Sequence, residues 1–439
     1  MLLYCNILTP RLQYIVEFFS KELFNDPITI TTDAAFFQQA AGCKLNYSTE
    51  AFTGNVFRIT PSGLLFENTI QTQAVQCFEV NGLKAFFATA GDFPFDVFAA
   101  SFYLLSRYEE YLPHEKDEYG RYAHINSLAF REGFLHQPLV NCWLQVFKQK
   151  LIRQFPELLF RKNDFKCILS YDIDIAYSYL HKGFVRTTGG FAKSIIKGEW
   201  AAVKDRWAVL RGQKRDPYDC FEWLDAMHLY CRSKPYYFFL VAKKQTGYDK
   251  NTPTEKKAFQ RLIEYYAGTY KTGLHPSWQS GDDMGLLMEE REWLEAVADT
   301  PIIRSRQHYI RMKLPQTYRQ LMKAGIEKDF SMGYGSINGF RASVCSSFAW
   351  YDLEQEAITP LLIYPFCFMD ANSYFEQKDT PQQAYAELVR YYEQVRKLNG
   401  MMISIWHNST LGTDPMFKGW RQLFELFMKE TVYWDAYSA

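Results

Sequence analysis

The chain has 439 residues, with 49 basic and 49 acidic side chains and a formal net charge of zero. That length fits two domains, or one barrel with an appendage, and a 48% hydrophobic, 22% charged composition excludes disorder. Charge balance also disfavours a general nucleic-acid binder, which needs a basic surface to displace counterions.

The N-terminus, MLLYCNILTPRLQYIVEFFSKEL, is interrupted by Arg11, Glu17, Lys21 and Glu22 and lacks the layout of a signal peptide. No stretch reaches about 18 consecutive apolar residues, so no membrane span is expected and the chain reads as cytoplasmic. Residues 1–8 read as a strand. Residues 10–24 read as a helix, with Leu12, Ile15, Val16, Phe19 and Leu23 at helical spacing. Residues 27–32 read as a short strand. Asn81-Gly82 joins two apolar runs over 78–86 and predicts a hairpin. Helices are expected over 95–112 and 138–155. Glu109, Glu110, His114, Glu115, Asp117 and Glu118 form an acidic cluster that reads as a solvated loop. Together these predict a smaller α/β domain over residues 1–160, with no catalytic constellation of its own.

Residues 161–439 are patterned differently. Short apolar runs at 167–172, 236–241, 272–277, 302–308, 328–333, 361–367 and 401–407 recur between helical stretches such as 253–267, 284–298, 315–324 and 381–398. Alternation of this kind argues for parallel β/α units. Seven such strands close, or nearly close, a barrel. The nine cysteines are scattered without a C-x-x-C pair, as expected of free thiols in a reducing compartment. Aromatics make up 17% of the chain, a level that fills cores and also suits sugar-stacking surfaces.

In β/α barrels the chemistry sits at the C-terminal ends of the strands. The residues there are Asp172 and Asp174 on the first run, His275 on the third, and Arg304, Arg306 and His308 on the fourth. Arg341 follows a Gly-rich loop, Asp370 follows the sixth run, and His407 ends the seventh. Residues two apart on a strand share a face, so Asp172 and Asp174 point the same way. Each residue has a structural reading too. A strand-end histidine can be a hydrogen-bonded core residue, Asp-x-Asp can cap a helix, and the arginines can simply pair with acids. Their common position at one end of several strands favours a metal site with an acid/base pair.

These residues resemble the polysaccharide deacetylases of the NodB-homology type, carbohydrate esterase family 4, over roughly residues 165–430. The first family motif, Thr-Phe-Asp-Asp-Gly, is matched by Ser170-Tyr171-Asp172-Ile173-Asp174. Asp172 aligns with the family's catalytic base. Ile173 stands where the family has its metal-binding aspartate, so that role passes to Asp174, and the two aspartates remain interchangeable. The His-Ser/Thr-x-x-His motif keeps His275 and has Gln279 in place of the second histidine, leaving His308 or Gln279 to complete the site. Gly339-Phe340-Arg341 resembles the motif whose arginine orients the base. Asp370 resembles the aspartate-containing turn and is grouped with the substrate-binding residues. Ile405-Trp406-His407 resembles the Leu-x-His motif, whose histidine is the general acid.

The resemblance implies a deformed (β/α) barrel of about seven parallel strands. It implies a divalent metal, zinc being the expected ion, held by Asp174, His275 and His308. It implies removal of N-acetyl or O-acetyl groups from a carbohydrate or sugar precursor. Trp278, Tyr309 and Trp406 lie beside motif residues and are read as sugar-stacking side chains. Two other readings stand beside this one. The same barrel could serve a metal-dependent amidohydrolase on a non-sugar amide. With the second histidine lost, it could also bind carbohydrate without cleaving it.

Overall fold

The protein, described by a computed structural model over residues 1–245 and 247–433, builds two sheets and one short hairpin. The first sheet holds β1 (Leu2–Cys5), β2 (Thr29–Thr31), β3 (Lys44–Tyr47) and β4 (Val56–Arg58), in the order β2-β1-β3-β4 and all parallel. The helix Pro10–Leu23 crosses from β1 to β2. Thr9 caps it, with Oγ1 accepting the Leu12 N–H at 3.2 Å, and Pro10 occupies a first-turn position that needs no N–H. The apolar stripe read from the sequence is the face it buries.

The hairpin forms as β5 (Phe78–Val80) and β6 (Leu83–Ala85) around Asn81 and Gly82, both at positive φ. The helix expected over 95–112 ends at Leu105, because Arg107 adopts a left-handed conformation and a 3₁₀ turn, Tyr108–Tyr111, follows. The helix Leu139–Gln154 matches its expected bounds closely. The solvated reading of the acidic cluster is overturned at Glu109 and Glu110, which are buried. Arg107 Nη2 donates to Glu109 at 3.0 Å and Arg107 Nε to Glu110 at 2.7 Å.

The second sheet holds β7 (Lys166–Ile173), β8 (Tyr236–Leu240), β9 (Lys271–His275), β10 (Arg304–Ser305), β11 (Lys328–Asp329), β12 (Phe348–Asp352), β13 (Ala357–Ile363), β14 (Phe368–Met369) and β15 (Met401–His407). Their order is β12-β13-β11-β10-β9-β8-β7-β15-β14. All pairs are parallel except β12 with β13. This corrects the expectation of seven strands. The run 361–367 covers the end of β13 and the link that leads to β14, and β12 was not marked by alternation. The run 302–308 shortens to β10, because Tyr309 and Ile310 are left-handed and turn the chain. Among the described residues no strand pairing joins β12 to β14, so the sheet is not closed into a ring of pairs. A backbone bond from Phe366 N–H to Met332 O, 3.2 Å, links the segments beyond β11 and before β14.

Helices lie between the strands as the alternation predicts. Pro381–Lys397 begins with a reciprocal capping box between Thr380 and Gln383. Between β7 and β8 the chain makes a helical excursion, Phe184–Ile196 and Trp200–Leu210, before the helix Phe221–Tyr230. Its base is clasped by Asp216, whose carboxylate accepts the N–H groups of Ser178, Tyr179 and Leu180 at 2.7, 2.7 and 2.9 Å. One apolar core runs across both sheets. Tyr14 and Phe102 pack against Tyr351, with ring centroids 5.1 Å apart in each case. No disulfide joins cysteines among the described residues. No helix among the described residues is long and apolar enough to cross a membrane.

Candidate active site and metal centre

The parallel sheet brings the strand-end residues together by register. Asp172 on β7 is aligned with His407 on β15, and Leu240 on β8 with His275 on β9. Gly273 lets β9 approach its neighbours: a Cβ there would lie 2.6 Å from the Phe238 ring and 2.9 Å from the Arg304 carbonyl. Asp174, His275 and His308 each present a ligand atom, all within 4.8 Å of one another.

Three imidazoles have their tautomers set by the second nitrogen. His275 Nδ1 lies 2.6 Å from the Arg306 carbonyl oxygen, which can only accept, so Nδ1 carries the proton. His308 Nδ1 lies 3.1 Å from Asp249 Oδ1 and His407 Nδ1 lies 2.6 Å from Asp370 Oδ1. All three Nε2 atoms face Asp174. His275 Nε2 is 3.2 Å from Asp174 Oδ1, and His308 and His407 Nε2 are 3.8 and 3.7 Å from Oδ2. Asp174 Oδ1 is buried without a hydrogen-bond donor. In the neutral tautomer, His275 Nε2 and Asp174 Oδ1 are two acceptors facing each other, an arrangement that calls for a cation or a proton between them. One carboxylate and two imidazoles make a donor set suited to a divalent ion with a position left open.

The electrostatics follow from burial and these neighbours. Burial opposes charge on His275, but Asp172 and Asp174 outweigh it and raise its pKa. Burial also opposes charge on Asp174, yet the three histidines hold its carboxyl well below the usual range. Partial burial opposes charge on His407 as well, but Asp370 and then Asp174 and Asp172 push it up to about 10. Burial resists ionisation of Asp249, and its bonds to His308 and the Trp278 N–H overcome that and lower its pKa.

Several sequence expectations are corrected here. Arg341 does not meet Asp172; its Nε and Nη2 donate to Glu110 at 2.8 and 2.6 Å. The guanidinium on Asp172 is Arg306, with Nη1 donating to Asp172 Oδ1 at 2.8 Å and the group lying 4.3 Å from the Phe238 ring centroid. The order of motifs along the chain pointed to Arg341, whereas β10, two strands from β8, delivers Arg306. Asp370 is fully buried against His407 and Thr410 and does not line the cavity. Trp406 is fully buried, packed on Phe368 and Phe424, because it alternates with His407 on β15 and points to the other face. Gln279 donates to the Lys244 carbonyl, and His308 is the residue that joins Asp174 and His275 in the cluster. Trp278 stacks on Tyr248 at 4.1 Å.

A cavity of about 810 Å³ opens over the cluster, lined by Asp172, Asp174, His275, His308, Tyr309 and His407. Tyr119 and Arg121 reach into its wall from the N-terminal half of the chain. Arg121 is fixed there by Asp117 at 2.6 Å and by the Tyr309 carbonyl at 2.5 Å. Neither residue carried a sequence signal, and nor did Asp249, which sits in an aperiodic loop.

Comparison with known proteins gives partial matches. A family model described only as a family of unknown function, DUF7033, matches residues 1–156. No curated protein matches the chain. Similar solved structures include a candidate polysaccharide deacetylase from Mycobacterium smegmatis, with TM-score 0.40 and 12% identity, covering 63% of this chain and 86% of that one. A polysaccharide deacetylase from Bacillus cereus has TM-score 0.30 and 9% identity, covering 61% and 88%. A mutant of a CE4 family pseudoenzyme with restored activity has TM-score 0.29 and 9% identity, covering 60% and 64%.

Proposed function

We propose that the chain is a metal-dependent deacetylase that hydrolyses N-acetyl or O-acetyl groups on a carbohydrate or sugar precursor. In this reading the nine-stranded sheet is a deformed barrel carrying the chemistry, and residues 1–160 are an accessory domain that lends Tyr119 and Arg121 to the cavity wall. The observation that carries the reading is the convergence of three imidazole Nε2 atoms on one carboxylate, His275, His308 and His407 lying 3.2, 3.8 and 3.7 Å from Asp174 at the strand ends.

A divalent ion held by Asp174, His275 and His308, zinc in this proposal, would act as a Lewis acid and acidify a water molecule. Asp172, fixed by Arg306, takes the proton as general base. His407 keeps its charge at neutral pH through Asp370 and donates from Nε2 to the leaving nitrogen or oxygen. An amine leaves poorly without that proton, so the acid matters more for an amide than for an ester. Tyr309 lines the cavity and supplies a ring face for a sugar. Asp249 fixes the tautomer of His308, as carboxylates behind metal-binding histidines do.

The test combines elemental analysis with acetate release from acetylated oligosaccharides, sugar esters and small amides. Bound metal and activity on the sugars support the proposal. Metal-free, inactive protein overturns it, and activity on small amides alone moves the substrate outside the carbohydrates.

A further inference from the structure

The helical excursion between β7 and β8 supplies no ligand or proton donor, yet its surface is unlike the rest of the chain. From Lys182 to Arg215 the sequence has nine basic and two acidic residues, so a neutral chain concentrates positive charge here and is net acidic elsewhere. The same segment exposes large apolar side chains, with Phe184 at 83%, Ile196 at 85%, Trp200 at 62% and Trp207 at 51%. Clustered apolar exposure of this kind marks an interaction surface.

The two helices are held to each other and to the loop behind them. Phe191 and Trp207 have ring centroids 6.3 Å apart, and the Arg206 guanidinium lies 4.6 Å from the Tyr179 ring. Trp200, Lys204, Trp207 and Arg211 follow at intervals of four, three and four, which form one stripe on a helix. The Arg211 guanidinium lies over the Trp207 ring, 4.3 Å from its centroid, so positive charge sits directly beside the aromatic surface on this stripe.

We propose that this hairpin docks on the surface of an anionic lipid bilayer. Its aromatic and aliphatic side chains would enter the headgroup region, and Lys193, Lys197, Lys204 and Arg211 would face lipid phosphates. A nucleic acid would account for the charge and not for exposed Ile195 and Ile196. A second copy of the chain would bring like charges together. The excursion also leaves from the mouth of the cavity: Ile175 and Tyr218, at its two ends, line the site, and Asn408 beside His407 donates to both of their carbonyls. Docking sets that mouth at the bilayer. Resting on the function proposed above, this makes the substrate an acetylated sugar carried on a lipid.

The test is co-sedimentation of the full chain with vesicles of phosphatidylcholine alone and of equal parts phosphatidylcholine and phosphatidylglycerol. Binding to the anionic vesicles alone, weakening as salt rises, is expected. Lys193→Glu, Lys197→Glu and Lys204→Glu together should lower partitioning about a hundredfold. Trp200→Ser with Trp207→Ser should lower it about tenfold. Acetate release from a soluble acetylated oligosaccharide should be unchanged in both variants. Vesicle binding by a protein inactive on sugars would keep the docking and remove only the substrate clause. Binding to neither vesicle, or equally to both, would overturn the docking. So would binding to single-stranded RNA, or self-association through the two tryptophans, in the absence of vesicle binding.

Discussion

At the cavity, Arg306 donates to Asp172 at 2.8 Å; at the junction between the two sheets, Arg341 donates to Glu110 at 2.6 and 2.8 Å. Both pairs are buried, and both join parts of the chain far apart in sequence. At the junction the charges are answered. Arg341 also donates to the Gly333 carbonyl, and Arg107 binds Glu109, Glu110 and the Tyr334 hydroxyl. At the cavity they are not. Arg306 Nη2 is buried without a hydrogen-bond partner, and three imidazoles aim Nε2 at the single carboxylate of Asp174. A fully satisfied network serves the fold, whereas groups left open at a cavity serve a ligand.

The sharpest break in this contrast is Asp174→Ala or His275→Ala. Each should lose bound metal and acetate release together, with both falling to background by elemental analysis and assay. Survival of both would mean that the metal site is elsewhere. Next is His407→Ala, expected to slow turnover about 10²–10⁴-fold while metal stays bound. A rate near that of the parent would remove His407 from proton transfer.

The two arginines test the contrast directly. Arg341→Ala leaves Glu110 half-answered in the interior and should cost about 3–5 kcal/mol in denaturant unfolding, with activity per folded molecule retained. Arg306→Ala should lower activity per folded molecule as well as stability. If the two variants behave alike, the division between junction and site fails. Asp249→Asn should weaken metal affinity about 10–100-fold in a chelator competition, leaving the fold intact.

The smallest effect is a pH dependence at the junction. Burial alone would raise the pKa of Glu110, but Arg341 and Arg107 hold it at about 2, against an ordinary 4.5. Between those values the unfolded chain binds the extra proton. Stability from this group is therefore present above pH 4.5 and is lost as pH falls toward 2. Unfolding curves across that window should slope less in Glu110→Gln than in the parent.

Much of the site was legible because strand ends are. Asp172, Asp174, His275, His308 and His407 each follow an apolar run, and a parallel sheet sends those ends to one side. What lay outside that rule was missed. Asp249 stands in a loop with no period, and its role appears only when His308 is placed beside it. Arg306 and Arg341 exchanged parts because linear order says nothing about which strand lies beside which. Trp406 was read as a sugar platform from its neighbour in sequence, although alternation along β15 sends it to the opposite face. The basic hairpin was hidden in the zero net charge, which averages a positive segment against an acidic remainder.

The Asp216 clasp has a consequence for how such a chain can diversify. Three N–H bonds to the Asp216 carboxylate close the excursion at its root, so loop-closure entropy is met there and not at Asp174. Beyond a closed root, each doubling of loop length costs only about 0.6 kcal/mol. The segment past the clasp is thus open to lengthening, shortening or exchange, while the carboxylates of β7 keep their places.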